Sequence, residues 1–204
     1  LTLINGVENY IQAYAATSKD KTLEKYTSVL RENVEELNGL IQEILDFRKA
    51  EDAGFSHTHI RRVSVSSLLR TQFEWFYPLS EQHQIQFKID APKELYWNTD
   101  SVYFKKILAN LISNAFKYTE DGGTVRISLH EEENFLVLKV YNTGKGIEEA
   151  DMQNIFDRYR ILGTMDNDDN RQNTARNGLG LFICHSLVQS LGGRIDIESE
   201  VGQY

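Results

Sequence analysis

"SVYFKKILANLISNAFKYT", residues 101–119, carries two periodic patterns on one helix. Leu108, Leu111, Ile112 and Ala115 recur at i, i+3, i+4 and i+7, an apolar stripe that needs a core to face. Asn110, Asn114, Lys117 and Tyr118 form a second stripe on the far side. Two asparagines one turn apart are poor helix formers, so they cost stability unless they serve something. Amide oxygens are hard, neutral donors that can hold Mg²⁺ without repelling a triphosphate. Lys117 can reach phosphate oxygens, and Tyr118 can pack against a base. The competing explanation is an ordinary solvated face, and the helix alone does not decide.

Outward from this helix the pattern is mixed. Upstream lie the strand-like "IRRVSV" (60–65), a helical run opening on serines suited to an N-cap (64–82), and the alternating "IQFKID" (85–90). Downstream, Gly122 and Gly123 separate the helix from the alternating "TVRISLHE" (124–131) and the more apolar "FLVLKV" (135–140). The expected order is strand, helix, two strands, helix, two strands, a loop-rich region, a helix and a strand. That predicts an α+β fold with a mixed sheet rather than regular βαβ winding.

Two glycine-containing stretches follow the last of these strand pairs. In "NTGKGI" (142–147), Gly144 and Gly146 let the backbone turn sharply and approach a planar ring, with Ile147 as apolar packing. A lone Gly-x-Gly is also an ordinary tight turn. In "NGLGLFICHSLVQSLGG" (177–193), Gly178 and Gly180 open a helix whose free N–H groups favour phosphate. The alternative is a plain glycine-rich helix entry. Between them, residues 160–178 are rich in Asp and Asn but lack the spacing, central Gly and terminal Glu of an EF-hand. A long polar segment of this kind predicts a mobile lid.

The N-terminal third differs. Residues 1–50 have a helical pattern broken at "ATSKDK" (16–21), after which Leu30, Val34, Leu37, Ile41 and Ile44 recur at spacings of four and three. That stripe suits a helical hairpin or dimeric bundle, the alternative being a core-facing helix of one globule. The net charge of −8 argues against a main role in binding nucleic acid. The single Cys184, in an apolar helical run, has no partner for a disulfide and is expected to be a buried small hydrophobe, compatible with a reducing compartment. No apolar run approaches the length of a membrane span. The chain opens at Leu1 and stops at "SEVGQY", so a fragment of a longer protein is expected.

Taken in order, "NLISNAFKYT", "NTGKGI", "IFDRYR" and "NGLGLFICHSLV" resemble the N, first glycine, F and second glycine boxes of two-component sensor histidine kinases. "LIQEILDFRKAEDAGF" (40–55) is similar to the end of the dimerisation hairpin that precedes their catalytic domain. "LDFRK" and "FDRYRIL" are most similar to hybrid sensors of the Bacteroides type. The resemblance implies a Bergerat-type α/β sandwich over residues 55–204 that binds ATP, after a partial dimerisation hairpin over 1–54. It implies that Asn114 coordinates Mg²⁺, Asn110 lies beside the phosphates, Lys117 meets phosphate and Tyr118 lines the adenine pocket. Gly144, Gly146 and Ile147 would surround the base. Phe156 and Tyr159 match the F box, Arg160 would meet the terminal phosphate, and Gly178, Leu179 and Gly180 would cradle the phosphate chain. The implied activity is transfer of the γ-phosphoryl of ATP to a histidine, then relay to a response-regulator receiver. The implied parent is a homodimer anchored in the inner membrane with this part on the cytoplasmic side.

Two departures stand out. The family's phosphoacceptor histidine is followed by an acidic residue and then Thr-Pro, and none of His57, His59, His83, His130 or His185 has that context. The hairpin is therefore expected to lack its target, and this chain to be unable to phosphorylate itself. The first glycine box usually begins with Asp, whose carboxylate accepts the adenine amino hydrogen bond, whereas this chain has Asn142. An amide oxygen still accepts that bond without charge assistance, leaving a non-catalytic docking module as the alternative function. A topoisomerase-type ATPase, a third reading, is disfavoured by the heptad stripe. Replacing Asn142→Asp is expected to tighten adenine-nucleotide binding by roughly 1 kcal/mol, and Asn142→Ala to weaken it. Calorimetric titration of the three proteins checks this, and equal affinities would remove residue 142 from the adenine site.

Overall fold

Alternating burial along residues 124–129 sets up the main core: Val125, Ile127 and Leu129 point inward while their neighbours do not. The computed structural model describes Val34, residues 58–152, 154–156 and 180–204. The chain divides into two units, and the described residues other than Val34 belong to one, Ala53–Thr164 with Gly178–Tyr204. The expected hairpin at 1–54, apart from Val34, and the whole of the expected lid at 160–178 fall outside the described residues, as do Tyr159, Arg160, Gly178 and Leu179. Val34, the one described member of the heptad stripe, is helical.

The elements run β1 (Arg61–Ser64), α1 (Val65–Gln82), β2 (Gln86–Asp90), β3 (Tyr96–Thr99), α2 (Ser101–Tyr118), β4 (Thr124–Glu132), β5 (Phe135–Asn142), α3 (Glu149–Met152) and α4 (Gly180–Ser190). The fold is α+β with a mixed sheet, as expected. That sheet has the order β2-β4-β5, with β2 parallel and β5 antiparallel to β4. The strands β1 and β3 instead pair with each other in a separate antiparallel ribbon. Glu133 and Asn134 both take positive φ, 46° and 72°, as a two-residue hairpin between twisted strands demands.

One expected element is absent among the described residues. The last strand, foreseen after α4, forms no ladder: residues 193–200 carry no strand although Ile195, Ile197 and Ser199 alternate with exposed neighbours. Alternation supplies one buried face, but a strand also needs a partner for its backbone groups. Here Ile195 packs beside α4, and further along the backbone groups of 200–204 bond within their own turn and to residues 144–145.

Helix α2 is buried on two sides. Phe104, Leu108, Ile112, Ala115 and Phe116 meet α1 and the mixed sheet, where Phe87 stacks on Phe73 at 4.4 Å and meets Phe116 edge-on at 4.9 Å. Ile107, with Tyr103 and Leu111 beside it, meets Ile183, Cys184 and Leu187 of α4. The apolar stripe seen in the sequence is thus divided, Leu111 going to α4 and its three companions to the sheet.

The helix starts at a buried charge. Asp100 is 4% exposed, and its Oδ1 accepts from the N–H groups of Val102 (2.8 Å) and Tyr103 (3.2 Å) while Oδ2 accepts from His59 (2.8 Å). Burial by itself would raise the carboxyl's pKa, yet the three N–H donors outweigh it and the pKa is lowered. Because the folded value lies below the unfolded one, this stabilisation is complete above the ordinary carboxylate range and is lost as pH falls through the folded pKa. Asp100→Ala is expected to cost about 1–2 kcal/mol at neutral pH. Asp100→Asn keeps the helix cap but sets an N–H₂ against the His59 N–H. Urea unfolding is expected to show both variants losing less stability than wild type between about pH 5 and pH 2.

Candidate functional site

Three pieces of backbone converge at the C-terminal half of α2. The polar flank of the helix presents Asn110, Asn114 and Lys117, all half-buried, and ends at the exposed Tyr118, over whose ring the Lys117 Nζ sits at 5.8 Å. Thr119, buried, closes the helix by donating from Oγ1 to the Ala115 carbonyl at 2.6 Å. The second piece is the head of α4. A Cβ on Gly180 would lie 3.8 Å from both Asn110 Oδ1 and Asn114 Nδ2, so the opening turn of α4 faces the two amides across van der Waals contact. The asparagines therefore flank a helix N-terminus rather than standing on an open, solvated face.

Asn110 has a structural partner as well. Cys184, one turn into α4, is fully buried, its Sγ 3.9 Å from the Ile107 carbonyl. Burial pushes its thiol up to about 12, opposed by a side-chain hydrogen bond from Asn110. The group stays a neutral thiol, the small hydrophobe expected from the sequence. His185 next to it stacks on Phe156 at 5.3 Å and pairs with Gln189 at 3.2 Å, which makes it a packing residue of the α4 surface.

The third piece is the 143–147 loop, whose two glycines lie against neighbouring backbone. A Cβ at Gly144 would lie 2.5 Å from the Tyr118 carbonyl oxygen, and one at Gly146 (φ 71°) 2.5 Å from the Glu200 carbonyl oxygen. Both glycines are required by approach of the protein's own backbone, on opposite sides of the loop. By contrast, among the described residues no atom comes closer than 3.8 Å to a Cβ at Gly180. At the mouth of the loop the half-buried Asn142 donates from Nδ2 to the Thr143 carbonyl at 3.2 Å, which turns Oδ1 into the available acceptor. Thr143 ties the loop to β4 through paired bonds with Thr124, each 2.9 Å.

Sequence reasoning missed the turn at 199–204. The Ile147 N–H donates to Ser199 Oγ at 2.9 Å, Gly144 N–H to the Gln203 carbonyl at 3.2 Å, and Gly202 N–H to the Lys145 carbonyl at 2.9 Å. Its one legible signal was Gly202, which takes φ 80° inside that turn. Asp100 was missed too, although Asp immediately before a helical run is a cap signature.

With this geometry in place, comparison with known proteins is decisive for the family. Residues 99–204 match the family model described as histidine kinase-, DNA gyrase B-, and HSP90-like ATPase. The chain belongs to this family. It is 29% identical over 203 residues to the sensor protein SrrB of Staphylococcus aureus, covering all of this chain and 34% of that protein. Over 206 residues it is 30% identical to the circadian input-output histidine kinase CikA of Synechococcus elongatus, covering all of this chain and 27% of that one. The chain thus spans about a third or less of the curated relatives it matches. Full-length ShkA in complex with AMPPNP shares the fold, with a TM-score of 0.75 and 23% identity over 99% of this chain and 41% of that one. The matched region is the ATPase domain found in sensor histidine kinases.

The contrast between the glycines is testable by stability alone. Gly146→Ala is expected to cost about 1–3 kcal/mol through its left-handed backbone, before the clash with Glu200 is counted. Gly180→Ala is expected to stay within about 0.5 kcal/mol of wild type. Urea denaturation of both variants checks the pair, and equal costs would contradict the assigned roles.

Proposed function

We propose that the chain is the ATP-binding kinase module of a sensor histidine kinase, which transfers the γ-phosphoryl of ATP to a histidine for relay to a receiver aspartate. The observation that carries this reading is the meeting of the α4 head with two neutral amides, Gly180 against Asn110 and Asn114. A helix N-terminus offers N–H groups and positive potential, and amides add ligands without negative charge, which is what a polyphosphate requires. The donor set fits Mg²⁺: Asn114 would hold the ion, which supplies charge neutralisation on the phosphates when bound.

In this reading Asn110 and Lys117 hold the phosphate chain from the α2 side, and Gly178, Leu179 and Gly180 hold it from α4. Arg160 meets the terminal phosphate, with Phe156 and Tyr159 anchoring the segment that carries it. Asn142 Oδ1 accepts from the adenine amino group, and Tyr118, Gly144, Gly146 and Ile147 wall the base. The protein does little covalent chemistry in such a transfer. It aligns donor and acceptor and stabilises charge as it develops. Residues 55–204 form the catalytic domain and 1–54 part of the dimerisation hairpin. The parent is a membrane-anchored homodimer with this module on the cytoplasmic side, and its partner is a response-regulator receiver.

Asn142 favours a second reading, a nucleotide-binding or docking module without turnover, because the neutral acceptor weakens the adenine contact. Radiolabelled ATP separates the two. The chain alone is expected to take up no acid-labile label, since none of its five histidines has phosphoacceptor context. Mixed with a kinase-dead hairpin protein that keeps its histidine, with mixed dimers first verified by sedimentation, it is expected to label that histidine. Label on the chain alone would overturn the missing-acceptor argument. Binding of AMPPNP without label on either protein would select the docking module.

A further inference from the structure

The 143–147 loop is held between two backbones. On one side the Tyr118 carbonyl ends α2 directly against Gly144, and on the other the 199–204 turn lies against Gly146, with Glu200 O and Val201 Cα where a side chain would begin. The two main-chain bonds to this turn, from Gly144 to Gln203 and from Gly202 to Lys145, are independent of side-chain identity. Ser199 adds a link that does depend on it. Its half-buried hydroxyl accepts from the Ile147 N–H at 2.9 Å and donates to the Tyr204 carbonyl oxygen, which also receives the Glu200 N–H at 2.9 Å. One rotor thereby couples the closing bond of the turn to the backbone of Ile147, 52 residues away in the chain. Tyr204 leans on Tyr141, one residue before Asn142, with ring centroids 5.6 Å apart, so the turn also braces the end of β5.

We propose that Ser199 is a positioning residue for the base-binding half of the site: it fixes the backbone of Ile147, and with it the loop that begins at Asn142, in the geometry that receives a purine ring. The inference rests on the nucleotide reading above and deepens it, assigning recognition of the base to a residue outside the four sequence boxes. The physical reason is pre-organisation. A loop already held by its neighbours loses less freedom when a flat ring packs against it, so the bond to Ser199 contributes to affinity without touching the ligand. The phosphate half, built from α2 and the head of α4, does not depend on that bond.

The test uses the full chain as wild type, Ser199→Ala and Ser199→Thr, titrated with Mg²⁺ and either AMPPNP or inorganic tripolyphosphate, which has no base. Removing the hydroxyl orphans the Ile147 N–H, and Ser199→Ala is expected to weaken AMPPNP binding by about three- to tenfold. Tripolyphosphate binding is expected to stay within about twofold of wild type, the phosphate half being untouched. Ser199→Thr, which keeps both donor and acceptor, is expected to restore AMPPNP binding. Amide hydrogen exchange at Ile147, followed by NMR, is expected to quicken in Ser199→Ala alone. Unchanged AMPPNP affinity in Ser199→Ala, or equal losses for both ligands, would overturn the positioning role. Wild type that binds tripolyphosphate but gains nothing from the base would overturn it as well. Wild type that binds neither ligand would reject the nucleotide reading itself, and this inference with it.

Discussion

Where α4 packs on α2, the fully buried Cys184 sulfur lies 3.9 Å from the Ile107 carbonyl, at the centre of a close-packed seam. The seam sets how deeply α4 sits against α2. One turn earlier on α4 comes Gly180, and one and two turns beyond Ile107 on α2 come Asn110 and Asn114. Their meeting follows from the packing of Ile107, Ile183, Cys184 and Leu187. A helix head is a weak anion site wherever it points. Here it points at two neutral amides because an apolar seam next to them holds it there, and the same seam gives Asn110 a thiol to bond.

The opposite face of α2 makes that seam rigid. Phe104, Leu108, Ile112, Ala115 and Phe116 are held against β2 and β4 by a stacked and edge-on set of phenylalanines. A helix packed on two sides has little freedom to roll, so its remaining flank keeps a defined aspect. Asp100 sets where the helix begins. Its buried carboxylate is tolerated because three backbone N–H groups replace the water it has lost, and two of them are the orphan donors of the helix's own first turn. Stability and site geometry therefore share residues: the cap that stabilises α2 also fixes the register of Asn110, Asn114 and Lys117 along it.

The glycine loop illustrates how one residue type answers two different demands. Gly144 and Gly146 are required by neighbouring backbone, and the loop they belong to is clamped between the end of α2 and the 199–204 turn. At Gly180, among the described residues, a Cβ would meet only the amides of Asn110 and Asn114, at ordinary contact distance. The same division appears in the polar groups. Asn142 uses its N–H₂ internally and leaves an oxygen outward, whereas Thr143 uses both its hydroxyl and its backbone N–H to bind β4.

Much of this was legible in the sequence because it depends on local periodicity. The stripes on 101–119, the alternation of 124–129 and the order of the boxes are set by which side of a helix or strand each residue occupies, and that is a property of the chain itself. The α+β class follows from the periodic patterns, and the family from the resemblance of the four boxes. What periodicity lacks is any account of which element lies opposite. The sequence showed an apolar stripe on α2 but not that Leu111 leaves it for α4. It showed a strand-like alternation at 194–199, where no ladder forms among the described residues. It showed two glycines at 144 and 146 but not the carbonyls of Tyr118 and Glu200 that demand them. Those outcomes are contacts between residues far apart in the chain, such as Ile147 with Ser199, and their energy exists only once the tertiary fold has brought the partners within bonding distance.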